Sequence, residues 1–171
     1  MALDPQQFHF FWSGPFSQWQ HSEFTLDGVV FVTAEQAMMY FKALLFDDPD
    51  TGNLILTAKE PGKQKALGLQ VRGFDEAVWD QHKCDIVRRI NLAKFTQNKR
   101  LRRKLFQTGS KTLVEASPMD VVWGIGLDER AATATQPTLW PGQNLLGKIL
   151  TEVRDQRAQE FCEEFANIDP T

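Results

Sequence analysis

Apolar and polar positions along the chain change their period several times, and each change marks an element. Residues 8–20 (Phe-His-Phe-Phe-Trp-Ser-Gly-Pro-Phe-Ser-Gln-Trp-Gln) are aromatic but broken by Ser-Gly-Pro, which predicts a short strand running into an ordered loop. Residues 24–31 alternate around Asp27-Gly28, a strong signal for a tight hairpin. Thr33-Ala-Glu35-Gln36 matches a capping box, in which the Thr33 hydroxyl and the Gln36 side chain satisfy orphan amides, and opens a helix that runs to about residue 45. Further helices are predicted over about 50–57, 62–68, 75–95 with Asp75 as cap, and 98–107. Residues 112–115 and 121–123 read as strands, and 144–165 as a last helix whose acidic end frays. The predicted fold class is mainly α with a small β component, a single compact domain over residues 8–166 with 1–7 and 167–171 as flexible termini.

Composition alters that picture in few respects. A chain of 171 residues is long enough to bury a core as one domain. Nineteen Lys and Arg against 22 Asp and Glu leave a net charge of −3, so no global field draws the molecule to nucleic acid. Thirteen Phe and five Trp against one Tyr supply flat apolar surfaces. Two cysteines, Cys84 and Cys162, are too few for a disulfide framework and suggest a reducing compartment. The first residues lack the charged and apolar regions of a signal peptide, and no apolar run reaches the ~20 residues needed to span a bilayer. The expected setting is cytoplasmic, with no membrane partner.

Candidate chemistry gathers in two places. In the first, residues 120–127 (Asp-Val-Val-Trp123-Gly124-Ile-Gly126-Leu) precede residues 140–147 (Trp-Pro-Gly-Gln-Asn144-Leu-Leu-Gly). Gly-X-Gly lets a backbone pass close to a ligand, and a Pro-Gly turn delivers Gln143 and Asn144 to the start of a helix. Two tryptophans and two amides in one loop system suit a planar ring with a polar edge. The second place is the capped helix, where Glu35 and Lys42 are seven residues apart. At 100° per residue they lie within about 20° of each other, roughly 10 Å apart along the axis, with Met38 and Met39 between them. Glu35 sits in the first turn, where the helix dipole favours its ionised form, and the Lys42 side chain leans back towards it. The same spacing is also met by an exposed first-turn glutamate and a snorkelling lysine.

One segment stands above the charge background. Residues 83–104 carry nine Lys or Arg against one acid, Asp85, a local balance of +8. That stretch is either a nucleic-acid face or a solvated surface paired with the acidic residues Glu152, Asp155, Glu160, Glu163 and Glu164. No metal site is expected, because His9, His21 and His82 lie on separate elements and His82 and Cys84 face different sides of a helix. Gly124-Ile-Gly126 lacks the third glycine and following helix of a dinucleotide fingerprint.

Taken together, Thr33-Ala-Glu35-Gln-Ala-Met-Met-Tyr-Phe-Lys42-Ala, Gly14-Pro-Phe16-Ser17-Gln18-Trp19, Leu67-Gly-Leu-Gln-Val-Arg72-Gly-Phe-Asp75, Trp79, Lys94-Phe95, Leu113-Val-Glu115 and the two loop motifs resemble the NADAR (YbiA-like) family, in family order over residues 10–155. The resemblance implies an α+β fold and hydrolysis of an N-glycosidic bond between ribose and a guanine-like base. Two settings are implied: removal of ADP-ribose from modified guanine, in nucleic acid or nucleoside, and hydrolysis of early riboflavin-pathway ribose-phosphates. No cofactor is implied; water is the second substrate.

On that chemistry, Glu35 is expected to stabilise the ribosyl cation or act as general acid and base. Lys42 is expected either to attack the anomeric carbon as a neutral amine, forming a Schiff base, or to stay charged and bind hydroxyl or phosphate oxygens. In some relatives a carboxylate directly follows the Trp-Gly pair, where this chain has Ile125; Asp128 and Asp120 are the nearest substitutes, and Asp128 is the candidate second acid. Phe16, Trp79 and Trp123 are candidates to cover base or ribose, with core packing as the alternative for each. Ser17, Gln18 and Asn144 are candidate hydrogen-bonding partners, and Gly124 and Gly126 candidate phosphate-contacting backbone. Arg72 is a candidate phosphate partner, or else pairs with Asp75 or Glu76. ADP-ribosylated DNA or RNA is an expected partner through Lys99, Arg100, Arg102 and Arg103. A module that binds ADP-ribose without cleaving it is the competing reading.

Overall fold

The computed structural model describes residues 4–169. It divides into two compact units, one built from the chain up to Ser17 and from Lys99 onward, the other from Gln18–Asn98. The second is thus inserted in the sequence of the first. Helix dominates and the sheets are small, as the pattern predicts. Of the expected flexible termini, residues 1–3 and 170–171 lie outside the described residues, while Pro5–Gln7 form a 3-10 turn.

In the unit of Gln18–Asn98, β2 (His21–Leu26) and β3 (Val29–Thr33) form the antiparallel hairpin, with Phe24 opposite Phe31. Asp27 and Gly28 both adopt positive φ, 51° and 78°, which the tight turn requires at its two central positions. The strand runs straight into α1 (Ala34–Leu45). α1 packs against α2 (Pro49–Thr57), α3 (Pro61–Gly68) and α4 (Glu76–Gln97), making it the axis of this unit. Phe24, Phe31, Ala37, Ala43, Ile55, Val87, Ile90 and Phe95 are buried here. Each large apolar side chain contributes about 1.5–3 kcal/mol by leaving water. The hairpin edge is closed by a side chain: Gln97 accepts from the Thr25 amide at 2.8 Å and donates to its carbonyl at 2.7 Å.

In the other unit, β1 (Phe8–Phe11) pairs in parallel with β4 (Thr112–Glu115), in register from Phe8 opposite Thr112 to Phe11 opposite Glu115. α7 (Leu145–Glu160) packs on β4, and α5 (Lys99–Gln107) on α7. The predicted last helix does not run unbroken; it stops at Phe161, and a short α8 (Cys162–Ala166) follows. Val114, Ala116, Ile125 and Ala132 form a core against which Phe8, Phe10 and Trp140 pack. Trp140 meets Phe8 and Phe10 edge-on, with ring centroids at 5.5 and 6.0 Å.

The predicted strand at 121–123 is a loop. The Asp120 carboxylate accepts from the Val122 and Trp123 amides, both at 2.8 Å, which bends the chain and removes those donors from any ladder. The carbonyls of Val122, Trp123 and Gly124 instead accept from the amides of Leu145, Leu146 and Asn144 at the start of α7. Three of the four orphan donors of that helix are therefore consumed by the loop itself. A short α6 (Glu129–Thr133) follows, which the hydrophobic pattern did not predict.

Asn144 ties this loop to the sheet. It sits in the left-handed region at φ 54°, accepts from the Glu115 amide at 3.0 Å and donates to the Leu113 carbonyl at 3.0 Å. An Asn144→Ala substitution would orphan two strand groups, so we expect about 2–4 kcal/mol of lost stability in denaturant titration.

Candidate active site

The start of α1 is held from several sides. The Thr33 hydroxyl accepts from the Gln36 amide at 3.0 Å and donates to Gln64 Oε1 at 2.6 Å. Gln36 Oε1 accepts from the Val32 amide at 2.9 Å, one residue earlier than the reciprocal bond of a capping box. Gln36 Nε2 donates to the carbonyls of Ile55 and Ala58, at 3.1 and 3.0 Å. The Glu35 amide donates to the Gln18 carbonyl at 3.0 Å. This framework fixes Glu35 in the first turn with only 4% of its surface exposed. A carboxylate so withdrawn from water is no ordinary surface glutamate.

Seven residues on, Lys42 is also buried, at 7% exposure. Its Nζ donates to the Gly68 carbonyl at 2.8 Å, and lies 4.3 Å from the Phe74 ring centroid and 5.9 Å from that of Trp79. Burial pushes the amine below its ordinary range, while the charge of Glu35 raises it and offsets part of that effect. The snorkelling alternative is thereby excluded, and the two groups feel each other across the Met-rich stripe. Met39 packs against Gly68, where a Cβ would collide with its sulfur.

α4 contributes the facing stripe. Trp79 is half-buried; Lys83, Val87, Asn91 and Lys94 are buried, at the three- and four-residue spacing of one helix face. Lys83 pairs with Asp80 at 2.5 Å. Asn91 Nδ2 donates to Gln18 Oε1 at 3.0 Å and to the Val87 carbonyl at 2.9 Å. Gln18 Nε2 and Asn91 Oδ1 are buried with no partner among the described residues. A donor and an acceptor left side by side inside a protein cost about 1–3 kcal/mol each. Together they suit a group that both gives and accepts a proton, such as a water or a sugar hydroxyl.

Other predicted site residues have different employment. Arg72 binds Asp48 through its backbone amide, Nε and Nη2, at 2.9, 3.1 and 2.6 Å, and reaches Asp50 at 2.9 Å. Its ion-pair partners are thus Asp48 and Asp50 rather than Asp75 or Glu76. The guanidinium holds the Asp48 carboxyl well below the usual carboxylate range. Phe16 is a core residue, edge-on to Phe11 at 5.6 Å and to His9 at 5.3 Å. Asp128 caps α6 by accepting from the Ala131 amide at 2.8 Å and is exposed. A Cβ at Gly124 would meet the Glu115 carbonyl at 2.9 Å, so this glycine serves chain packing, and the Gly126 amide is spent on the Asp120 carbonyl. Asn144 is the strap described above. Ser17 ends a 3-10 turn and donates its amide to Gly14. Trp123 is half-buried.

Sequence reasoning did not single out Phe74 and the Gly68 carbonyl, which meet Lys42, or Asn91, which meets Gln18. Asn91 left a signal: it continues the Trp79 stripe of α4 at helical spacing. Among the described residues no three His, Cys, Asp or Glu gather closely enough to hold a metal ion. No helix among them is long and apolar enough to cross a membrane.

A family model described as the NADAR domain matches residues 9–157, and the chain belongs to that family. It is 46% identical over 149 residues to N-glycosidase R617 of Acanthamoeba polyphaga mimivirus, covering 84% of this chain and 88% of that one. It is 29% identical over 132 residues to riboflavin biosynthesis protein VVA0006 of Vibrio vulnificus, covering 77% of this chain but only 32% of the relative. The NMR structure of the E. coli protein YbiA superposes with a TM-score of 0.74 at 26% identity, covering 95% of this chain and 91% of that one.

Proposed function

We propose that this protein is an N-glycosidase that hydrolyses the bond between the ribose of ADP-ribose and the amino group of a guanine-like base. The observation that carries this reading is the buried Glu35–Lys42 pair on α1, an acid and an amine withdrawn from water, the amine beside two aromatic rings. The names of the relatives support the reaction class, since R617 is called an N-glycosidase.

Glycosidic cleavage builds positive charge on the anomeric carbon and ring oxygen, which a buried carboxylate stabilises strongly. In the direct route Glu35 takes a proton from water as the water oxygen bonds to the anomeric carbon. The carbon–nitrogen bond breaks, and the same proton passes to the departing amine. In the covalent route the neutral Lys42 Nζ bonds to the anomeric carbon, and the Glu35 carboxylate carries one Nζ proton to the departing amine as the carbon–nitrogen bond breaks. The carboxylate carries the second Nζ proton to the ring oxygen as the ring opens to an imine. Water adds across that imine, one proton passing through Glu35 to Nζ, and Nζ leaves as the aldehyde forms. The lowered basicity of Lys42 favours this second route. Gln18 and Asn91 supply the orphaned donor and acceptor that would hold the water or a ribose hydroxyl.

A second reading, hydrolysis of early riboflavin-pathway ribose-phosphates, is favoured by the likeness to the Vibrio riboflavin protein. Both substrates join an anomeric carbon to an amine of a guanine-like ring. Turnover by the purified protein of ADP-ribosylated guanosine, measured beside a ribose-phosphate aminopyrimidine, separates them: product from the first alone supports the proposal. Binding of ADP-ribose without product from either substrate would assign a binding module instead.

A further inference from the structure

The nine cations of residues 83–104 do not act as one patch; their partners sort them. Lys83 pairs with Asp80, Arg88 with Asp85 at 2.6 Å and Arg89 with Asp27 at 2.6 Å. Lys94 is wholly buried. Arg102, predicted to contact nucleic acid, points inward: it is 5% exposed, pairs with Glu164 at 2.8 Å and lies 3.9 Å from the Phe161 ring centroid. Its charge is neutralised by the acidic C-terminal segment, which it clamps to α5. Lys99, Arg100, Arg103 and Lys104 remain, all exposed, and none forms an ion pair among the described residues.

These four share one side of α5. Lys99 and Arg103, and Arg100 and Lys104, are each four residues apart, so each pair is offset by about 40° and separated by about 6 Å along the axis. With Gln107 they line a hollow of about 440 Å³. The rest of the helix is anchored by the buried Leu105 and Phe106. Long cationic side chains bring apolar stems as well as charged tips. The hollow therefore suits an acidic segment that also carries apolar groups.

This chain supplies such a segment. Residues 160–169 hold Glu160, Glu163, Glu164 and Asp169 and no Lys or Arg, with Phe161, Phe165 and Ile168 among them. Glu164 is engaged by Arg102, and Glu160 by Arg157 at 2.8 Å. Glu163 and Asp169 stay exposed and form no ion pair among the described residues. Phe165 keeps 37% of its surface in water although its ring meets Phe106 edge-on at 5.2 Å. Residues 160–164 line a hollow of their own, of about 370 Å³. A basic and an acidic hollow thus lie on one compact unit, tied together by the Arg102–Glu164 pair. Within one chain they do not neutralise each other, because Arg102 and Phe106 already hold α8 to a different side of α5. A two-fold axis between two copies brings each basic hollow to the acidic segment of the other and makes both contacts at once. Such a surface is complementary to itself.

We propose that two copies of this chain associate through this surface, residues 160–169 of each seated at the α5 hollow of the other. Lys99, Arg100, Arg103 and Lys104 meet Glu163 and Asp169 across the axis, and Phe165 adds apolar contact. Arg102 keeps helix and segment in fixed relation within each copy. α5 and α8 comprise nine and five residues, fewer than the roughly 20–30 residues a side of a standard interface, so the dimer is weak and reversible. It stands whether or not the chain hydrolyses a glycosidic bond.

Sedimentation velocity over a concentration series, at about 50 and about 500 mM salt, is the test. The samples are wild type, Arg100→Glu/Arg103→Glu, Glu163→Lys/Asp169→Lys, and an equimolar mixture of the two variants. Wild type should dimerise at low salt and lose about ten-fold or more in affinity at high salt, where the screening length is only a few ångströms. Each variant alone should bind itself about 100-fold or more weakly, because like charges meet at both contacts. The mixture should dimerise again: reversed hollow meets reversed segment at one contact, and the two unaltered partners meet at the other. All four altered side chains are exposed, so the variants should unfold at the wild-type temperature. A wild type that stays monomeric at every concentration overturns the proposal, and so does a dimer that survives either reversal. Variants that remain folded but fail to associate when mixed would overturn the pairing of hollow with segment. A monomeric wild type that binds heparin through Arg100 and Arg103 would give the hollow to a polyanion instead.

Discussion

Glu35→Gln is expected to lower kcat by about 10²–10⁴-fold while leaving the affinity for ADP-ribose near that of wild type, because an amide keeps the shape of the carboxylate but cannot carry a proton. Lys42→Ala should lower kcat by about 10³-fold or more if the covalent route is followed. Their pH profiles separate the roles. Deprotonation of Lys42 creates the nucleophile, so the wild-type rate should rise with pH through a midpoint below the ordinary lysine value, since burial lowers it. Glu35 raises that value, so in Glu35→Gln the same rising limb should move to lower pH. Borohydride added during turnover should join the sugar to Lys42, identified by peptide mapping. A rate independent of pH in this range, with no trapped adduct, would discard the covalent route and leave Glu35 with the direct one. Full activity in both single variants would remove the site altogether.

Much of the candidate site's geometry was legible because local rules and tertiary structure agree there. Thr33 and Gln36 announced the start of α1, and seven-residue spacing placed Glu35 and Lys42 on one stripe. Burial chose between the two readings the spacing allowed. The pairing of the glycine-rich loop was not legible, for a physical reason. Trp123, Gly124, Gly126 and Asn144 have the composition of a ligand loop, yet the backbone donors around them answer to Asp120 and to the carbonyls of residues 122–124. Composition names the groups available; only the pairing shows which are already satisfied. Arg72 is similar, since Asp48 lies 24 positions away and no local rule brings it near. The parallel pairing of β1 with β4 joins residues about a hundred positions apart, beyond the reach of any periodicity. The basic segment was legible as a charge count and illegible as a surface, because Arg102 and Lys94 turn inward.

The second large effect concerns Lys94, whose amine is wholly buried and whose pKa burial lowers from 10.5 to about 7. In the unfolded chain it stays protonated to about pH 10.4, so between pH 7 and 10 the unfolded state binds the extra proton. Stability contributed by this position should therefore rise with pH across that window, with a slope approaching about 1.4 kcal/mol per pH unit. Below pH 7 the folded protein must either carry a charge in its interior or unfold. Lys94→Met keeps the length and apolar stem of the side chain and removes the titration. Denaturant midpoints measured from pH 6 to 10 should show the variant ahead of wild type at the acid end and the difference shrinking as pH rises. A constant difference would mean that Lys94 does not titrate in this window. The same variant controls the trapping experiment: turnover and adduct should both survive in Lys94→Met, whereas loss of the adduct there and its persistence in Lys42→Ala would transfer the nucleophile from α1 to α4.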